Sequence, residues 1–155
     1  MVERAEIIEV VRQYLNTPFQ YGGRTKRGAD CVFLPQIAAK TLQIPGWKII
    51  WSDKECHAYP RVREPGFMRR KLNSFVDRGI LRRVELHDLG LADMVLRFGG
   101  LGHDHHVSMM SYDGMLIEAR QKPEPRFPRG RIVECTITPL ERASFMCGYQ
   151  FRDVV

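Results

Sequence analysis

The apolar residues change period once along this chain. Over residues 4–15, Ala5, Ile8, Val10, Val11 and Leu15 roughly share one helical face, with Glu3, Glu6, Glu9, Arg12 and Gln13 elsewhere. Asn16-Thr17-Pro18 ends that segment. Residues 32–42 are apolar enough to predict a buried helix, closed by Ile44-Pro45-Gly46. Pro35 falls early in it, where it removes one N–H and tightens or kinks the first turn. Residues 47–51 read as a short extended segment and residues 59–66 as loop. Phe67–Asp77 returns to helical spacing, with Met68, Leu72, Phe75 and Val76 as its apolar face and Gly79 as a stop. From residue 80 onward the runs are strand-like: 80–86, 94–98, 107–112, 115–119, 130–137 and 148–151. Helices followed by strands imply an α+β fold, with N-terminal helices packed on an antiparallel sheet. The proline-rich residues 122–129 read as an ordered surface connection.

Composition narrows this without redirecting it. The length of 155 residues fits one domain, 1–155, and 44% apolar residues are enough for a core. No apolar run reaches the ~18 residues that span a bilayer, so no membrane partner is expected. The charged start, Met1-Val2-Glu3-Arg4-Ala5-Glu6, lacks a signal-peptide stretch, so the chain is expected to be cytoplasmic when made. Net charge is +6, but the basic residues are scattered and no nucleic-acid motif accompanies them. They read as a solvated surface, with no nucleic-acid partner. Four cysteines, Cys31, Cys56, Cys135 and Cys147, form no CxxC pair, which argues against structural zinc. Cys135 and Cys147 lie in strand-like segments and read as core. Cys56, followed by His57, is not at a helix start and is given no chemical role.

The candidate chemistry begins at Thr17-Pro18-Phe19-Gln20-Tyr21-Gly22-Gly23 and continues to Asp30-Cys31. This places a cysteine at a helix start just after a glycine turn. Asp30 is a good N-cap residue, and Cys31 then sits in the first turn, where free N–H groups and the helix dipole favour a thiolate. Backbone N–H groups near Cys31, with Tyr21 as a side-chain donor, would form an oxyanion hole. Seventy-five residues later, Gly102-His103-Asp104-His105-His106 leads into an alternating strand. His106 is the candidate base, with His103 and His105 beside it. A metal held by a His-x-His run with Asp104, or by His103, His105 and His106, is the competing reading, disfavoured because no fourth ligand is evident.

Strand parity tests a third member, Glu118. A two-residue turn at Asp113-Gly114 would pair Met109 with Glu118 and point Glu118 away from His106. A three-residue loop, Tyr112-Asp113-Gly114 with Gly114 left-handed, pairs Ser108 with Glu118 and brings it to the His106 face. The second register is expected, with Glu118 fixing the imidazole tautomer. Ser108, small and on that face, leaves room for the Cys31 helix. Asp93 is expected to cap a turn.

These residues, in this order, resemble the NlpC/P60 family of cell-wall peptidases. The matching parts are Pro18, Gly22-Gly23, Asp30-Cys31, Asp93 before Met94-Val95-Leu96, His106-Val107, and Glu118 twelve positions after the histidine. Val32-Phe33 replaces the usual Ser-Gly, Ala92 replaces a glycine, and Phe19 stands where a tyrosine is usual. The resemblance implies a papain-like cysteine hydrolase that cleaves an amide bond in peptidoglycan stem peptides. Cys31, His106 and Glu118 would be catalytic, and Phe19, Tyr21, Asp30 and His105 would bind substrate. It implies no metal and no organic cofactor. Residues 45–80 resemble an insertion in phage-associated members, which with the missing signal peptide suggests a tail-delivered lysin and other tail proteins as partners. A non-catalytic tail-assembly or wall-binding module on the same fold is the alternative.

Overall fold

A computed structural model describes residues 1–57, 66–98 and 105–155, with only the backbone described for His57 and His105. Helix α1 (Arg4–Arg12) starts at a capping box between Glu3 and Glu6 and buries Ile7, Ile8, Val10 and Val11. It ends three residues before the predicted boundary. A two-stranded hairpin, β1 (Arg24–Thr25) and β2 (Gly28–Ala29), leads to α2 (Phe33–Thr41). Pro35 is the third helical residue, where the missing N–H costs no intrahelical bond.

Residues 47–51 are helical, not extended: α3 is Trp47–Trp51. Its sequence, rich in Trp and Ile, has strand propensity, but tertiary contact overrides it. Gly46 turns the chain with φ of 87°, Gln36 of α2 donates to Ile50 O at 3.0 Å, and Lys40 lies over the Trp51 ring. A short α4 (Lys54–His57) and then α5 (Phe67–Asp77) follow, α5 burying Met68, Leu72 and Phe75 as expected.

The remaining strands are β3 (Leu81–Val84), β4 (Met94–Phe98), β5 (His105–Met110), β6 (Leu116–Arg120), β7 (Arg131–Cys135) and β8 (Phe145–Phe151). They form one antiparallel sheet in the order β3-β8-β4-β5-β6-β7. A sixth helix, α6 (Pro139–Ala143), was not anticipated. Its signal was present: Thr138 caps it by accepting from Glu141 N at 3.1 Å, with Pro139 at the first position.

Both sheet faces are covered. Met94, Leu96, Val107, Met109, Ile117 and Ala119 join the helices in the main core. Val95, Met110 and Leu116 pack against Leu89, Cys135, Ile137 and Phe145 on the other side. By alternation, Arg97, Ser108, Glu118 and Arg120 belong to this second face. The observed fold is α+β, with helices packed on an antiparallel sheet.

Candidate active site

Backbone pairing carries Cys31 to the sheet. Beyond β7, Thr17 O accepts from Ile132 N at 2.9 Å, and Phe19 N donates to Gly130 O at 2.9 Å. The same segment then pairs with Ala29: Ala29 N donates to Pro18 O and Gln20 N to Ala29 O, each at 3.0 Å. The nucleophile candidate follows two residues later.

Asp30 holds that turn. Its carboxylate is fully enclosed and accepts from Val32 N and Phe33 N at 3.1 Å, from Gly22 N at 2.9 Å, and from Arg24 Nη1 at 2.8 Å. It therefore caps the helix start, but the helix proper begins at Phe33, with Cys31 and Val32 in the turn ahead of it. This corrects one expectation and narrows another. Asp30 is spent on its own chain and presents no face to a substrate. The Val32 and Phe33 N–H groups serve Asp30, so they are not oxyanion donors in this arrangement. Arg24, which the sequence did not single out, also donates to the Cys56 carbonyl and so ties α4 to the same turn.

Opposite Cys31 stands His106. The Cys31 thiol and the Glu118 carboxylate both act on its imidazole, and Nε2 lies 3.2 Å from Glu118 Oε2. Glu118 is fully enclosed. Its Oε2 also accepts from Ser108 Oγ at 2.8 Å and from Arg97 Nη2, and its Oε1 accepts from Arg120 Nε at 3.1 Å and Nη2 at 2.9 Å. Arg120 continues to Glu141 of α6 at 3.2 Å.

The hairpin explains how Glu118 arrives there. Met109 pairs with Ile117 and Met110 with Leu116, so the register runs on to Ser108 and Glu118. The turn mixes both anticipated forms. Asp113 and Gly114 are both left-handed, with φ of 54° and 69°. Yet Ser111 N donates to Met115 O at 2.7 Å while Met115 N donates to Tyr112 O at 3.0 Å. Ser111 and Tyr112 together oppose Met115, and this one-residue bulge restores the register that brings Glu118 to His106.

The electrostatics follow from this packing. Burial pushes the His106 pKa down, but hydrogen bonds and charge from Cys31 and Glu118 outweigh it and raise it to about 9. Burial pushes Glu118 up, but His106, Arg97 and Ser108 hold it well below the usual carboxylate range. Burial, with Asp53 nearby, pushes the Cys56 thiol up to about 12. The Cys56 side chain is buried and is no rival nucleophile.

Of the other candidates, Phe19 lies in the core, edge-on to the Tyr21 ring at 4.9 Å. Tyr21 is partly exposed, and its hydroxyl donates to Gln121 Oε1 at 3.2 Å. The His105 side chain, with His103 and Asp104, lies outside the described residues. Among the described residues, no three His, Cys, Asp or Glu groups are placed to hold a metal ion. Asp93 caps a turn as expected, accepting from Gly90 N at 2.8 Å, and also from Gln150 Nε2 at 2.7 Å.

Arg97, Arg120 and Glu141 were missed by sequence reasoning. Arg120 was within reach of it, because a residue two positions from Glu118 shares its face. Arg97 required the register that sets it opposite His106.

No protein-family model matches the sequence, and no curated protein is similar enough to count as a relative. Solved structures do resemble the fold. The NlpC/p60 domain of the peptidoglycan hydrolase SagA aligns over 97% of this chain and 100% of its own, at 15% identity and a TM-score of 0.57. The P60 domain of an antigen from M. avium subspecies paratuberculosis aligns over 96% and 93%, at 14% identity and 0.56. An NlpC/P60 family protein from Bacillus cereus aligns over 96% of this chain but 40% of its own, at 18% identity and 0.59. The chain thus has the papain-like α+β fold of NlpC/P60 domains.

Proposed function

We propose that this protein is a cysteine hydrolase that cleaves an amide bond in peptidoglycan stem peptides. The observation that carries this is one imidazole, His106, 3.2 Å from the enclosed Glu118 carboxylate and held in its charged form by both Cys31 and Glu118. In this reading Cys31 Sγ, as thiolate, attacks the amide carbonyl. His106 gives its proton to the departing amine as the C–N bond breaks, leaving a thioester. Water then attacks the thioester, His106 takes its proton, and the C–S bond breaks to release the carboxylic acid and the thiolate. Glu118 keeps the imidazole oriented and stabilises its charged form. The peptidoglycan substrate is taken from the fold neighbours, one of which is called a peptidoglycan hydrolase. Delivery by a phage tail and other tail proteins as partners belong to the same proposal and rest on the sequence resemblance.

Two measurements test it. Purified stem peptides incubated with the protein should gain the mass of water on cleavage, and Cys31→Ala should abolish this. Brief iodoacetamide treatment near neutral pH should label Cys31 faster than Cys56, Cys135 or Cys147. Equal labelling of Cys31 and Cys56, with no cleavage, would favour a wall-binding module on the same fold.

A further inference from the structure

Glu118 has more partners than orienting a histidine requires, and they are divided unequally between its oxygens. Oε1 takes Arg120, whose guanidinium also meets Glu141 and whose side chain is one-third exposed. Oε2 takes His106, Ser108 and Arg97 together. Arg97 is the cross-strand partner of His106, and only 13% of its side chain is exposed. Among the described residues Glu118 is the one carboxylate it meets, and its Nε has no partner there.

We propose that Arg97 is a positioning residue for His106, acting through Glu118: it shares the carboxylate oxygen the imidazole uses and limits that oxygen's pull on the imidazolium. This rests on the hydrolase reading only for the use made of the proton. Among the described residues, the groups around His106 are Cys31 from the turn before α2, Arg97 from β4, Ser108 from its own strand and Glu118 from β6; Arg120, Glu141 and Cys135 stand behind Glu118. A carboxylate held by His106 alone would bind the imidazolium tightly and slow its proton transfer to a leaving group. A buried guanidinium on the same oxygen neutralises part of that charge and adds a like charge near the imidazolium. Ser108 and Arg120 keep Glu118 in place when Arg97 is changed.

The experiment is a histidine NMR titration of the full chain, with the His106 signal assigned by its loss in His106→Gln. In Arg97→Gln the midpoint should rise by about half a unit or more. Arg97→Lys should return it most of the way to the wild-type value. Arg120→Gln should move it less, because that cation is shared with Glu141 and holds the other oxygen. The alkaline limb of Cys31 alkylation should follow the same order. An unchanged or lowered midpoint in folded Arg97→Gln, or a larger rise in Arg120→Gln, would overturn the proposal. If Arg97→Gln does not fold, Arg97→Met keeps the stem without the charge and is read by the same outcomes. None of these readouts needs a substrate. A protein that titrates as expected but cleaves nothing sinks the hydrolase reading alone; one that cleaves without the shift sinks this inference alone.

Discussion

The two halves of the site are each built on a fully enclosed carboxylate, Asp30 on the nucleophile side and Glu118 on the histidine side. Asp30 takes three backbone N–H groups and one arginine, all within eight residues of it in sequence. Glu118 takes only side chains, from residues 97, 106, 108 and 120, on three strands. The first carboxylate fixes a backbone shape; the second fixes a charge state. Removing the first should therefore cost mainly stability, and removing the second mainly turnover.

The largest expected effect is at Asp30. Asp30→Ala leaves the Gly22, Val32 and Phe33 N–H groups without their acceptor and the Arg24 guanidinium, 9% exposed, without its carboxylate. Breaking a buried pair from one side costs about 3–5 kcal/mol, which urea unfolding would read. A loss under about 1 kcal/mol would mean that water takes over the turn, and the contrast with Glu118 would collapse.

Glu118→Gln comes next and should behave oppositely. The isostere keeps the shape, so the fold should persist, but an amide stabilises an imidazolium poorly. Stem-peptide turnover should fall about ten- to hundredfold, less than in Cys31→Ala or His106→Ala, since an orienting group does not itself react. Turnover equal to wild type would assign Glu118 to structure alone.

The charge state also makes a pH prediction. His106 is raised from 6.5 to about 9, so it binds more protons folded than unfolded between those values. The stability this contributes is complete below about pH 6.5 and is lost as pH climbs through 9. Denaturation midpoints should fall across that interval, and Glu118→Gln should shrink the fall. Alkylation of Cys31 should pass through an alkaline limb in the same region.

The smallest effect concerns a third buried carboxylate, Asp93, which supports a turn and touches neither Cys31 nor His106 in any described contact. Ala92 before it is left-handed, with φ of 67°, where the NlpC/P60 pattern has glycine. Ala92→Gly removes that strain but also a buried methyl, so stability should rise by no more than about 1 kcal/mol, without change in alkylation rate. A clear loss of stability would mean that packing of the methyl outweighs the relief of strain.

What the sequence determined by itself was local or periodic. The amphipathic segments, the period-two strands, the capping role of Asp30 and the turn chemistry around Asp113-Gly114 depend on residues close along the chain. Even the Ser108–Glu118 register could be reasoned from loop length and parity, although the bulge at Ser111 and Tyr112 that delivers it could not. Trp47–Trp51 went the other way: its strand propensity lost to contacts with α2. The tertiary structure alone decided the rest. Arg97 faces His106 only because β4 pairs β5 in one register, Arg120 meets Glu141 only because α6 packs near β6, and Arg24 spans from the Cys31 turn to α4. These are long-range pairings of buried charges. Each charge is stable only where its counter-charge arrives, and no pattern within one segment encodes where that will be.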